Sequence, residues 1–255
     1  MNITGNTVFI PGSTSGLGLG LAIALSEKGN TVVIGGRRAD LVKQITDEHP
    51  GLASVEIDTT DAESVERAAA EVLDRYPDLN VVVAMAGIMR VEDWHHPREV
   101  LASAQQVLDT NVMGPIRLLG AFLDHLQTRP DATFMTVSSG LAFVPLRVVP
   151  SYNASKAAIH LLTETLRLQL ADTSVKLVEL VPPAVATDLL PGHRESPIAM
   201  PLDEYIDEVV GIIEREPDVR EILVERVKAL RFSEVNGTYD DVVAMLNSSD
   251  PHAAS

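Results

Sequence analysis

Residues 7–20 read TVFIPGSTSGLGLG. A short, β-branched apolar run gives way at once to small residues. Gly12, Gly16 and Gly18 then follow with the spacing GxxxGxG. The apolar run has the composition of a strand, and the small residues after it open a helix. A tight turn at that junction needs glycine. A pyrophosphate can approach a backbone only where no Cβ stands, and the free amides of a helix start attract its charge. The segment Gly12, Ser13, Thr14, Ser15, Gly16, Leu17 and Gly18 is therefore the expected dinucleotide-binding turn. A glycine motif alone is weak evidence. Its place between the first strand and the first helix is what gives it weight.

The same alternation continues outward from this stretch. TVVIGG (31–36), SVEID (54–58), VVVAMAG (81–87), TFMTVSS (133–139) and VKLVELV (175–181) read as strands, and EILV (221–224) as a short seventh. Helical patterns lie between them. Residues 61–75 place Val65, Ala68, Ala69, Val72 and Leu73 on one stripe, and residues 100–127 predict a longer helix. Strand and helix alternating at this spacing predicts an α/β fold: a single-domain, Rossmann-like, doubly wound parallel sheet of six to seven strands with helices on both faces. The expected domain spans 1–247, with 248–255 as a flexible tail. The irregular run 188–200 reads as a mobile loop.

Composition narrows the function. The chain has 255 residues, 45% of them hydrophobic but only 4% aromatic, which suits a core of Val, Leu, Ile and Ala. The net charge of -16 argues against nucleic acid as a partner. With no cysteine there is no disulfide, thiol nucleophile or zinc–thiolate site. No run approaches a membrane span, and the apolar residues 7–12 head into glycines rather than forming a leader peptide. A cytoplasmic location is the expectation.

The end of the second strand bears on the nucleotide. An acid there would grip a ribose 2′-hydroxyl. This chain instead reads Gly35, Gly36, Arg37, Arg38. Two guanidiniums suit a 2′-phosphate, so NADP(H) is favoured over NAD(H), with Arg37 the first choice. The alternative is that one or both arginines simply begin the next helix in solvent. Asp58, at the end of the third strand, is a candidate acceptor for the adenine amino group. A helix N-cap in that region fits Thr60 or Asp61.

SYNASKAAIH (151–160) sets Tyr152 and Lys156 one helical turn apart with small residues between them. Such a pair is common on solvated helix faces. Ser138 and Ser139, however, close the preceding strand. Glycine turn, strand-end serine and YxxxK together resemble the short-chain dehydrogenase/reductase family over residues 5–225. The resemblance implies an oxidoreductase that transfers a hydride between nicotinamide and a carbonyl or secondary alcohol. Tyr152 would be the acid–base group, Ser139 would hold the substrate oxygen, and Lys156 would bind the nicotinamide ribose and lower the tyrosine pKa. Asn111 matches the fourth position. Pro115 has no N–H, which leaves the Asn111 carbonyl free to hold a relay water; the alternative is a mere helix kink. By the same resemblance Thr59, Ala86, Gly87, Pro182, Val185 and Thr187 meet the cofactor.

Three positions depart from the family pattern: Pro11, Ala84–Met85 and Pro183. The C-terminal run EILVERVKALRFSEVNGTYDDVVAMLN resembles a subgroup associated with D-alanine esterification of teichoic acids, although a hydride-transfer site does not itself make such an ester. Leu141, Phe143, Val144, Pro145, Leu146 and Val149 are the expected substrate walls, and the substrate a largely apolar carbonyl or alcohol. Trp94, His95 and His96 form a local cluster, either at the pocket rim or on a surface loop. Adjacent histidines project differently, so no metal site is expected. The family resemblance implies a homodimer or homotetramer paired through the long helices. The competing functions are a non-catalytic nucleotide sensor on the same fold and an NAD-linked alcohol dehydrogenase.

Overall fold

The apolar runs become strands because both of their faces are covered. In β1 (Thr7–Pro11), Val8 and Ile10 point to one side of the sheet and Phe9 to the other, and all three are fully buried. This is the pattern of a parallel sheet between two helical layers. The computed structural model describes residues 1–192 and 194–248. The expected tail therefore lies almost wholly outside the described residues.

β2 (Thr31–Gly36), β3 (Leu52–Glu56), β4 (Val81–Ala84), β5 (Ala132–Val137), β6 (Val175–Leu180) and β7 (Glu221–Ile222) complete a seven-stranded sheet. Its order is β3-β2-β1-β4-β5-β6-β7, and every pairing is parallel. The chain direction of winding reverses between β1 and β4. In such sheets the ligand crevice opens there, beyond the carboxyl ends of the strands.

Helices cover both faces. α1 (Gly16–Glu27) and α7 (Leu202–Arg215) pack on the Val8–Ile10 side through Leu21, Leu25, Val209 and Ile213. α3 (Ala62–Arg75) and α5 (Gly114–Gln127) cover the Phe9 side through Val65, Val72, Leu118 and Phe122. α2 (Ala39–Glu48), α4 (Pro97–Leu108), α6 (Pro150–Gln169), the single turn α8 (Lys228–Arg231) and α9 (Tyr239–Ser248) complete the chain. No helix among the described residues is long and apolar enough to cross a membrane.

The fold corrects two expectations. The segment 100–127 is not one helix: α4 stops at Leu108, residues Asp109–Met113 form a π turn, and α5 begins at Gly114. Pro115 cannot donate to the Asn111 carbonyl, and the register slips so that the Gly114 N–H bonds the Asp109 carbonyl five residues back. Second, β4 stops at Ala84 rather than running to Gly87, because the Met85 N–H turns back onto Val83 O at 2.8 Å. The 188–200 loop leaves and returns at one point. There Val185 bridges Met200, with Met200 N–H on Ala184 O and Ala186 N–H on Met200 O, each 2.8 Å.

Candidate active site

A cleft of about 1410 Å³ opens at the carboxyl edge of the sheet. Its floor is the glycine turn. Gly12 has φ +90, and a Cβ on it would lie 2.4 Å from the Ala86 backbone nitrogen. A Cβ on Gly18 would lie 2.5 Å from Gly12 O. The turn can therefore pass under the end of β4 only as glycine. Thr14, Ser15, Gly16, Leu17 and Gly18 line the cleft with Gly12. α1 starts there with no side-chain cap and no acid in its first turn, so its leading amides face the cleft as an anion site.

Ser13 does not belong to this lining. It is fully buried, donates its hydroxyl to Ile10 O, and accepts from Gly35 N–H at 3.2 Å. It braces the turn against β2 instead of facing a ligand. Short-range sequence could not separate it from Thr14 or Ser15, since the distinction depends on where β2 passes.

Arg37 and Arg38 border the far end of the cleft. The Arg37 guanidinium is largely exposed and stands 3.9 Å from Asp58 Oδ2. Asp58 closes a local turn, with Oδ1 accepting from Thr60 N–H at 2.9 Å and from the Thr60 hydroxyl at 2.7 Å. Asp61 is the N-cap of α3, accepting from Glu63 N–H at 3.0 Å. Asp58 lines the cleft, and its Oδ2 is the oxygen nearer Arg37. Thr59, Ala86 and Gly87 line the middle of the cleft, and Pro182, Pro183, Val185 and Thr187 line its other wall. Of the departures from the family pattern, Met85 and Pro183 reach the cleft, whereas Pro11 ends β1 beside Gly35.

Ser138, Ser139, Tyr152 and Lys156 meet at the inner end of the cleft. Ser139 follows β5, accepts from Leu141 N–H at 3.1 Å, and hydrogen-bonds the Tyr152 phenol. The neighbouring Ser138 hydroxyl is buried and without a protein partner. Lys156 is buried, and its Nζ donates to Val137 O at 2.8 Å and lies 5.5 Å from the centroid of the Tyr152 ring. Burial pushes the Tyr152 phenol up to about 12, with the Ser139 hydrogen bond pulling weakly the other way. Burial also brings Lys156 down to about 8. This overturns the expectation of a lowered tyrosine pKa. Desolvation of the phenolate dominates, and the ammonium points at the Val137 carbonyl rather than at the phenol oxygen.

Asn111 is buried in the π turn, and both polar atoms of its side chain are hydrogen-bonded. Oδ1 accepts from Ile88 N–H at 2.8 Å, while Nδ2 donates to Ile88 O at 2.9 Å and to Ser155 Oγ at 3.0 Å. The side chain thus ties the β4 tail to α6 and does not line the cleft.

The substrate walls are partly those expected. Leu141 and Leu146 line the cleft. Val144 and Val149 are fully buried behind it, and Phe143 packs its ring against His160 and under the Arg231 guanidinium. Pro145 also stands off the cleft; its carbonyl accepts from the Asn247 amide at 3.1 Å. Their places are taken by Ile88, Met89, Val148, Leu189, Leu190, Leu230 and Leu246. Leu230 and Leu246 come from the far C-terminus, where no local pattern marks them. Trp94, His95 and His96 sit on a surface turn outside the cleft lining. Among the described residues His160, Glu179 and Glu221 have metal-like proximity, but each is already engaged. His160 Nδ1 lies 2.9 Å from Glu179, which raises its pKa, and Arg231 holds Glu221 at 2.8 Å.

Geometry and sequence agree with one family. The model of the short chain dehydrogenases matches residues 6–197. The chain belongs to that family and is an oxidoreductase of it. More particularly, it is 36% identical over 255 residues to the uncharacterized oxidoreductase DltE of Bacillus subtilis (strain 168), covering 98% of this chain and 100% of that protein. The C-terminal subgroup resemblance is borne out by this end-to-end match. A short chain dehydrogenase from Burkholderia cenocepacia J2315, solved in complex with NADP, superposes with a TM-score of 0.79 at 28% identity, covering 96% of this chain and 99% of that one. An alcohol dehydrogenase from the archaeon Thermococcus sibiricus, complexed with 5-hydroxy-NADP, superposes with a TM-score of 0.76 at 26% identity, covering 86% and 96%.

Proposed function

We propose that the protein is an NADP(H)-dependent oxidoreductase acting on an apolar carbonyl compound or the corresponding secondary alcohol, with Tyr152 as the acid–base residue. One observation carries this reading: a buried Ser139–Tyr152–Lys156 group closes the end of a cleft whose other end carries two arginines. The cleft fits a dinucleotide. Its glycine floor has no room for Cβ atoms, and a helix start faces it. When bound, such a cofactor supplies or accepts the hydride.

The chain's own groups handle the proton. A phenol held at about 12 is protonated at neutral pH. It can donate to a carbonyl oxygen that gains negative charge, because an alkoxide is far more basic than a phenolate. Ser139 holds that oxygen in place. Lys156 contributes positive charge beside the phenol and donors for the ribose hydroxyls. The Asn111 carbonyl, which Pro115 cannot engage, is the acceptor for a water that leads protons toward Lys156. The inner cleft is walled by Leu141, Leu146, Val148, Leu189 and Leu190, which favours an apolar substrate body. Leu161 and Leu168 on α6, with Leu101 on α4, are large exposed apolar side chains, which supports pairing of two copies through these helices.

Titration of nicotinamide fluorescence tests the cofactor. Arg37→Ala and Arg38→Ala together are expected to weaken NADPH binding by about ten- to a hundredfold and leave NADH binding nearly unchanged, since a charge-assisted hydrogen bond contributes about 1.5–3 kcal/mol. Equal effects on the two cofactors would reject the 2′-phosphate assignment. The pH profile tests Lys156. Its ammonium is present below about 8 and is lost as pH rises through that value. Reduction needs both the ammonium and the protonated phenol, so kcat/KM for carbonyl reduction is expected to fall above pH about 8, well before the phenol titrates.

A further inference from the structure

Glu92 is a buried carboxylate for which hydride transfer has no use. It is 7% exposed and lies on the segment between β4 and α4. Three donors from three parts of the chain converge on it. Ser151 N–H, in the first turn of α6, reaches Oε2 at 3.1 Å. The Trp94 indole N–H reaches the same oxygen at 3.4 Å, and the Ser103 hydroxyl, on α4, reaches Oε1 at 3.2 Å. The backbone of Glu92 is pinned as well, its N–H donating to Val148 O at 2.9 Å.

The first turn of α6 needs this contact. Val149 is its N-cap and has no side-chain acceptor, and no acid stands in its first turn. Without Glu92 the Ser151 N–H would be buried without a partner. A carboxylate at a helix N-terminus satisfies such a donor and also complements the helix dipole. The residue after Ser151 is Tyr152, which packs with Met89, Val107 and Val149. A shift of the first turn is therefore a shift of the phenol relative to Ser139.

We infer that Glu92 is a positioning residue for Tyr152: it caps the catalytic helix from outside that helix, through Ser151 N–H, and so sets the placement of the phenol. This rests on the reading of Tyr152 as the acid–base residue. Glutamine separates the cap from the charge. In Glu92→Gln the amide oxygen keeps Ser151 and Trp94, and the amide nitrogen meets Ser103, whose hydroxyl turns to accept. Alanine keeps none of these contacts.

Three variants, Glu92→Gln, Glu92→Ala and Glu92→Asp, would be compared using NADPH with acetophenone and straight-chain aldehydes. Glu92→Ala is expected to lose about ten- to a hundredfold in kcat, the scale of a misplaced reacting group, with KM for NADPH unchanged. Glu92→Gln is expected to restore most of the rate. Amide exchange in the peptide covering 150–155 should rise in Glu92→Ala and not in Glu92→Gln, a measurement that needs no substrate. Trp94, the one tryptophan of the chain, should show altered emission in Glu92→Ala. Wild-type kcat and exchange in Glu92→Ala would overturn the inference, as would equal losses in the alanine and glutamine variants. Should Glu92→Ala not fold, Glu92→Asp withdraws the carboxylate by one methylene, and wild-type kcat and exchange there overturn it equally. Tyr152→Phe separates the two readings. If that variant turns over, the acid–base assignment fails. If it is inactive while Glu92→Ala is not, only the role of Glu92 fails.

Discussion

Tyr152→Phe is expected to reduce turnover by about 10²–10⁴-fold, the range that a positioned acid–base group contributes. NADPH binding should survive, and so should the fold. The ring is 7% exposed and packs among Met89, Val107 and Val149, contacts that phenylalanine keeps. Ser139 loses one hydrogen bond but still accepts from Leu141 N–H. The expected pattern is therefore a fall in kcat at an unchanged affinity for NADPH, measured by steady-state reduction and by fluorescence titration. Retained turnover would mean that another group supplies the proton. Loss of NADPH binding would mean that the phenol holds the cofactor more than it handles the proton.

Gly12→Ala should have the largest effect on the fold and on the cofactor together. Two penalties coincide at this position. The φ of +90 is strained for any side chain, at about 1–2 kcal/mol. The new Cβ would also lie 2.4 Å from the Ala86 nitrogen and 2.5 Å from its Cα, backbone atoms that cannot swing aside. The turn or the segment just after β4 must move, and both line the cleft. A loss well above 2 kcal/mol follows, which lowers the melting temperature by about 2–4 °C for each kcal/mol in a chain of this size. NADPH binding should become undetectable. Gly5→Ala is the control, because Gly5 has φ +77 but nothing within 4 Å of its Cβ position. It isolates the backbone strain and should cost only about 1–2 kcal/mol. Equal melting temperatures for the two variants would show that the contact with Ala86 is not what requires glycine.

Much of this was written locally. The alternation of β-branched runs with helical stripes specified a parallel sheet covered on both faces, since a strand buried on both sides must be apolar throughout. Glycine spacing placed the turn at the floor of the cleft, and the four-residue step put Tyr152 and Lys156 on one face of α6. These features depend on neighbours within a turn or a strand, and such neighbours are in the sequence by construction.

Other features depended on which distant segments meet. Ser13 and Thr14 are adjacent and similar, yet only Thr14 faces the cleft, because β2 passes beside Ser13. Phe143 reads as a substrate wall until Arg231 and His160 pack on its ring. Leu230 and Leu246 reach the cleft only because the C-terminal segment folds back along it. Glu92 gains its partners only where α4 and α6 close over it.

The sequence by itself determined the class of fold, the order of its elements and the spacing of the proposed reacting groups. The tertiary structure alone decided the electrostatics of those groups. A lysine four residues from a tyrosine predicts a lowered phenol pKa. Burial of both side chains, and the Val137 carbonyl that takes the ammonium, moves the phenol up and the lysine down. Spacing sets which charges are near one another. The water excluded around them, which only the assembled layers define, sets what each charge costs.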